Sequence, residues 1–305
     1  STSGPGLALK GEAIGLAMMT ELPIVIINVQ RGGPSTGLPT KTEQSDLLQA
    51  FYGRNGDSPL PIIATKSPSD CFEAAYEACR MTLQHMTPVI LLSDGYIANG
   101  AEPWKFPKAA DIPTIEVEFV PPTDNEEAKF LPYERDEKHV RGWAIPGTKG
   151  LAHRVGGLEK EANTGNVSYD PNNHEEMVKV RAEKVARVAN FIPELEFNGN
   201  EDADLLVVGW GGTYGGLHTA VSSMLDEGKS VAHAHFNFIN PLPKNTAAVF
   251  GKFKKIVVCE LNNGQFIKLL QSELPQFDYL QYNKIQGMPF TVEELMNHFS
   301  KIINE

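Results

Sequence analysis

Arg31 stands just behind an apolar run, Leu22-Pro23-Ile24-Val25-Ile26-Ile27-Asn28-Val29, and in front of Gly32, Gly33 and Gly37. Its planar guanidinium is always charged and suits a carboxylate or phosphate bidentately. Glycines let backbone amides come close to a ligand. Thr40 and Glu43 have the spacing of a capping box, so a helix is expected to start there. A helix N-terminus adds unpaired N–H groups and partial positive charge. Lys41 would sit in that first turn, where its charge opposes the dipole unless an anion is near. Arg31, Thr40 and Lys41 are therefore expected to form an anion site at the carboxyl end of a parallel strand. The alternative is that Arg31 pairs with a nearby acid and the glycines only turn the chain.

Three other patterns imitate chemistry. "VVGWGGTYGG" (207–216) follows an apolar run and opens a helix, but it breaks the G-x-G-x-x-G spacing, and no acid ends the next strand. A tight turn is expected there. Ser93-Asp94-Gly95 with Asn125 imitates the thiamine-diphosphate motif, yet Ser93 replaces its first glycine and Asn125 lies in an acidic, turn-like stretch. Chance explains it. His233 and His235 share one strand face, but no third ligand stands at a telling spacing, and no metal is assigned.

Uniformly apolar strands alternating with helices are needed to position these residues. A helix is expected over 7–20, a buried strand over 22–29, a helix from Thr40 through Leu47, Leu48 and Phe51 to Gly53, and a strand over 61–65. Ser67 is expected to cap a helix whose stripe of Phe72, Tyr76, Cys79, Leu83 and Met86 packs inward, followed by a strand over 88–94. Residues 101–172 are too long for an ordinary loop. Their Trp143, Leu151, Val155 and Leu158 imply that the segment packs on something. Asn173 and Glu176 are expected to cap a helix over 174–191, and the polar stretch 192–204 reads as a domain boundary. The alternation then resumes, with strands at 205–210, 230–236 and 255–261 and helices at 214–227, 243–251, 264–274 and 291–303. The pattern specifies an α/β protein with parallel sheets covered on both faces, divided at 1–192 and 204–305.

The chain has 305 residues, 41% of them hydrophobic and 21% charged, and a net charge of −11. Such acidity argues against nucleic acid or an anionic membrane as partner. No apolar stretch approaches the ~20 residues of a membrane helix. Cys71, Cys79 and Cys259 are too few and scattered for a disulfide frame or an iron–sulfur site. A cytoplasmic setting with reduced thiols is expected.

"TSGPGLALKGEAIGLAMMTELPIVIINVQRGGPSTGLPTKTEQSDL" resembles the thiamine-dependent 2-oxoacid:ferredoxin oxidoreductases, most of all the α subunits acting on 2-oxoglutarate. The resemblance continues through "SPSDCFEAAYEACRMTLQHMTPVILLSDGYIANG", "WAIPGTKGLAHRVGGLEKEANTGNVSYDP", "NPLP" and "ELNNGQ", covering nearly the whole chain. It implies a thiamine-diphosphate pyrimidine-binding-type, doubly wound parallel sheet followed by a smaller transketolase-C-terminal-like α/β domain. It further implies that Arg31 holds the 2-oxoacid carboxylate and that Thr2, Ser3 and Gly4 line the cofactor loop. A β subunit would grip the diphosphate through Mg²⁺ and carry an iron–sulfur cluster, within a dimer of heterodimers. The implied reaction decarboxylates the 2-oxoacid, passes electrons to ferredoxin and transfers the acyl group to coenzyme A.

Against the family pattern, the sequence opens at the turn Thr2-Ser3-Gly4-Pro5-Gly6. The strand expected before it and the glutamate that activates the aminopyrimidine are not in the chain. The first sheet is therefore expected to be incomplete and the chain alone inactive. Two other readings compete: a β-type subunit of a transketolase-like or NAD-linked 2-oxoacid dehydrogenase, which shares this two-domain order, and a non-enzymatic anion-binding module.

Overall fold

The computed structural model describes residues 1–123 and 130–305. Asn125 lies outside the described residues. The chain opens with two short helices, α1 (Gly4–Leu9) and α2 (Gly11–Met19), in place of one helix over 7–20. Lys10 leaves helical geometry between them (φ −111°, ψ 11°) just before Gly11. Strand β1 (Ile24–Gln30) follows, then α3 (Leu47–Tyr52), β2 (Ile62–Ala64), α4 (Asp70–His85), β3 (Pro88–Asp94) and α5 (Gly95–Asn99). Residues 101–123 and 130–170 hold one short 3₁₀ turn and isolated bridges. After them come α6 (Pro171–Arg187), β4 (Phe197–Gly199), β5 (Leu205–Trp210), α7 (Tyr214–Asp226), β6 (Val231–Phe236) and β7 (Phe238–Asn240). The chain continues through α8 (Thr246–Phe250), β8 (Lys255–Glu260), α9 (Gln265–Glu273), β9 (Tyr279–Asn283) and α10 (Val292–Asn304).

Two sheets result. The first runs β1-β3-β2-β7, with β1, β3 and β2 parallel and β7 antiparallel to β2. The second runs β4-β6-β5-β8-β9, parallel except for β4. Strand β7 comes from the second half of the chain yet joins the edge of the first sheet, and one core cluster joins both, with Ile62 and Ile90 beside Leu206, Trp210 and Phe266. β3 and β5 are buried along their whole length because each has strand neighbours on both sides. β1 is not the uniformly buried strand expected; it has β3 on one side and only the Thr2 bridge on the other, and Ile24 is exposed.

The inward face of α4 also differs from expectation. Ala74, Ala78, Met81, Thr82 and His85 are buried, whereas Cys79 and Phe72 are exposed. Alanines let the helix approach the sheet closely, so the bulkier stripe turns sideways: Phe72 meets Trp104 at 5.4 Å, and the Tyr76 hydroxyl donates to Pro113 O. The helix begins at Asp70 rather than directly after Ser67, and Met86 is its left-handed terminus rather than part of its stripe. α6 is capped by Asp170, which accepts from Asn173 N, with Pro171 in the first turn; Asn173 lies inside the helix.

Candidate functional site

Arg31 follows the last residue of β1, at the carboxyl end of the parallel strands, where open α/β sheets bind ligands. It is half-buried, and its Nε is buried without a hydrogen-bond partner. Among the described residues its guanidinium forms no ion pair. Asp46 lies near enough to feel its charge, but the Asp46 carboxylate accepts from Asn28 Nδ2 at 3.0 Å. Burial pushes the Asp46 carboxyl up, opposed by the Asn28 hydrogen bond and by Arg31. Asn28 is fully buried and its Oδ1 has no partner. One unspent donor and one unspent acceptor thus lie near the same strand end.

Thr2, Ser3 and Gly4 come to that place from the start of the chain. Thr2 N donates to Ile27 O (2.8 Å) and Val29 N donates to Thr2 O (2.9 Å), extending the sheet past β1. Gly4 is buried against Asp46; a Cβ there would come 2.6 Å from Asp46 Oδ1. Thr40 and Lys41 are exposed on the same loop, and Lys41 O accepts from Gly32 N at 3.0 Å. No helix begins at Thr40. The six-residue α3 starts at Leu47 behind Asp46, so neither Thr40 nor Lys41 has a helix N-terminus to work with. The capping spacing misleads because Thr42, Glu43 and Gln44 are buried and engaged elsewhere: Thr42 Oγ1 donates to Asp94 Oδ1 at 3.0 Å, and Gln44 reaches the second sheet. Residues Gly33 to Lys41 are all exposed, leaving one side of the site open.

Asn28, Gln44 and Asp46 were not singled out by sequence reasoning. Asn28 was the legible one, the single amide inside the apolar run 22–29. Asp94, set aside with its chance motif, is buried and accepts from Tyr96 N, Ile97 N and Gly212 N as well as Thr42. His233 and His235 line a cavity of about 400 Å³ with Tyr214, His218 and Lys66. No group of three or more His, Cys, Asp or Glu among the described residues is placed to hold a metal ion.

Residues 1–170 match the family described as "Pyruvate flavodoxin/ferredoxin oxidoreductase, thiamine diP-bdg". The chain belongs to this family. Among its relatives, 2-oxoglutarate oxidoreductase subunit KorA of Mycobacterium tuberculosis is 49% identical over 97% of this chain and 44% of its own length. 2-Oxoglutarate synthase subunit KorA of Methanothermobacter thermautotrophicus is 31% identical over 99% of this chain and 79% of its own. The structure of 2-oxoglutarate:ferredoxin oxidoreductase from Magnetococcus marinus, with 2-oxoglutarate, coenzyme A and succinyl-CoA bound, superposes at TM-score 0.91 and 35% identity, over 99% of this chain and 52% of that one. The chain thus spans about half the length of the first of these relatives and of the matched structure. A split-gene transketolase, 10% identical at TM-score 0.50, shares the fold alone.

The residues at the β1 end fit one part of the thiamine diphosphate that this family binds. The orphaned Asn28 Oδ1 suits a neutral, amino-bearing ring, while the space beside Gly4 and Gly6 is taken by Asp46 and Thr2.

Proposed function

We propose that the chain serves in the α subunit of a thiamine-diphosphate-dependent 2-oxoacid:ferredoxin oxidoreductase. The enzyme converts 2-oxoglutarate and coenzyme A into succinyl-CoA and CO₂, and passes electrons singly to ferredoxin. The unpaired Arg31 guanidinium at the end of β1 carries the reading. It supplies a fixed cation with unspent donors where a substrate carboxylate can be held and its charge offset. Thr40 and Lys41 line the rim of the same loop. Thr2, Ser3, Gly4 and Asn28 border the aminopyrimidine side. Thiamine diphosphate, when bound, would supply the electron sink that decarboxylation needs. The chain's own residues bind and orient.

Supporting a shared site is the exposed run Gly33–Lys41, a surface for a β subunit to cover. That partner supplies the Mg²⁺–diphosphate pocket and an iron–sulfur cluster, in a cytoplasmic dimer of heterodimers. The three cysteines here cannot ligate a cubane, which takes four thiolates.

Reconstitution tests the proposal. The purified chain should be colourless and should reduce no viologen dye with 2-oxoglutarate. Adding a cluster-bearing β subunit should give dye or ferredoxin reduction that needs both 2-oxoglutarate and coenzyme A. Steady dye reduction by the chain alone would overturn the shared site. NAD reduction by the complex would favour the dehydrogenase class, and tight 2-oxoacid binding by the isolated chain a sensor.

A further inference from the structure

Gln44 sits where the Arg31 loop meets the second sheet, and it is fully buried. Its Nε2 donates to Trp210 O at 2.7 Å and its Oε1 accepts from Leu261 N at 2.9 Å. Its own N–H donates to Leu261 O at 3.0 Å, and its carbonyl accepts from Asn262 Nδ2 at 2.8 Å. Trp210 ends β5 and Leu261 follows β8, so one residue joins the carboxyl ends of two central strands. Neighbouring residues do the same. Thr42 donates to Asp94, whose Oδ2 accepts from Gly212 N at 3.1 Å. Ser45 O accepts from Gln265 Nε2 at 2.7 Å, and Leu48 N donates to Gln265 Oε1 at 2.9 Å.

The same short stretch grips Arg31 from the other side. Ser45 Oγ donates to Arg31 O at 3.2 Å, Asp46 N donates to Gln30 Oε1 at 3.1 Å, and Gly32 N donates to Lys41 O at 3.0 Å. The socket is cut for these contacts. Gly211 has φ +57°, and a Cβ on it would come 2.7 Å from Gln44 Nε2; one on Gly212 would come 2.2 Å from Asp94 Oδ2. The glycine turn that imitates a dinucleotide fingerprint and the aspartate that imitates a thiamine motif are two halves of one receptacle.

We propose that Gln44 is a positioning residue for Arg31: it anchors the substrate arginine's loop to the second sheet, which thereby sets the aim of the guanidinium. This rests on the assignment of Arg31 to the substrate carboxylate. A loop held in this way has already given up the freedom that substrate binding would otherwise have to remove. Gln44→Met keeps the side-chain volume while deleting both side-chain hydrogen bonds, and Gly211→Ala presses on the same contact from the second sheet.

The test uses the assembled complex. In Gln44→Met the KM for 2-oxoglutarate should rise about tenfold while the KM for coenzyme A and the affinity for thiamine diphosphate stay level. In the Arg31→Ala background Gln44→Met should cost little more, because both act through one guanidinium; additive losses in kcat/KM overturn the proposal. Hydrogen exchange of the Gly32–Lys41 amides should quicken in Gln44→Met and in Gly211→Ala, with β5 and β8 unchanged. Exchange at wild-type rates in the loop overturns it as well. Should Gln44→Met fail to assemble, Gly211→Ala with the same readouts decides. If Arg31→Ala leaves the KM for 2-oxoglutarate unchanged, the substrate role of Arg31 fails, and the exchange measurement alone decides whether Gln44 anchors the loop.

Discussion

A half-buried guanidinium costs free energy unless its donors find acceptors, and Arg31 has an orphaned Nε with Asp46 nearby but committed to Asn28. That imbalance suits a residue whose partner arrives with the substrate. In the complete enzyme, Arg31→Ala should lower kcat/KM for the 2-oxoacid by roughly 100-fold, equivalent to about 3 kcal/mol of charge-assisted hydrogen bonding. Arg31→Lys should recover little, since a point charge lacks the planar fork. Binding of thiamine diphosphate should be unaffected in both. Steady-state kinetics with varied 2-oxoacid decide this, and an unchanged Michaelis constant in Arg31→Ala would remove the assignment. Arg31 was legible in the sequence because a lone cation between an apolar strand and glycines has few structural uses. Asp46 and Gln44 were not. They sit among other polar residues in "KTEQSD", and only the tertiary fold shows which of these are buried.

At the scale of elements, the most concentrated electrostatics lie away from the substrate end, where α2 stops. Glu21 is buried with φ +51°. Its Oε2 accepts from Lys184 Nζ on α6 at 2.8 Å, and its Oε1 accepts from Arg135 Nε at 3.1 Å. The fully buried Tyr133 ring lies beside Arg135, Arg141 and Lys160, at 5.8, 5.3 and 5.2 Å. Burial pushes the Glu21 carboxyl up, but Lys184 and Arg135 together outweigh it and hold it at about 2. This cluster fastens residues 133–160 to the first sheet's layers. Glu21→Gln should therefore destabilise the fold by about 3–5 kcal/mol, because it leaves Lys184 and Arg135 buried without their carboxylate. A lowered thermal midpoint together with faster proteolysis within residues 130–170 checks this; an unchanged midpoint refutes it. The sequence showed that the segment packs, through Leu151, which is buried, and Trp143, which is partly so; Val155 and Leu158 are exposed. The long apolar strands β3, β5 and β8 were equally plain. Strands β4, β7 and β9 were missed because three to five residues with half-exposed side chains carry no period, and tertiary pairing alone makes them strands.

Over the whole molecule, burial has left several imidazoles neutral, and this fixes how stability responds to acid. Burial, with the nearby His218, pushes His233 down to about 3, and burial with Arg80, Lys184 and Lys138 takes His85 to about 4. His235 is lowered in the same direction by burial, His233 and Lys66. Around His233 stand His218 and Tyr214 from α7 and His235 from its own strand, and Lys66, Glu194 and Glu196 line the same cavity; neither glutamate counters the burial that keeps the imidazole neutral. The unfolded chain takes up these protons near pH 6.5, and the folded chain only at lower pH. Stability from a neutral buried imidazole is thus complete above pH 6.5 and is lost as pH falls toward the folded value. Buried carboxyls raised by desolvation, such as Asp94 and Glu260, act in the opposite sense, so the total profile mixes both. The difference between wild type and His233→Gln isolates one imidazole. From pH 6.5 down to about 3, wild type should lose stability relative to His233→Gln with a limiting slope of ~1.4 kcal/mol per pH unit, and above pH 7.5 the two profiles should run parallel. Urea unfolding at half-unit pH intervals measures that difference. A constant offset across the whole range would mean that His233 takes up its proton at the same pH in the folded and unfolded chains, and that its burial costs nothing in acid.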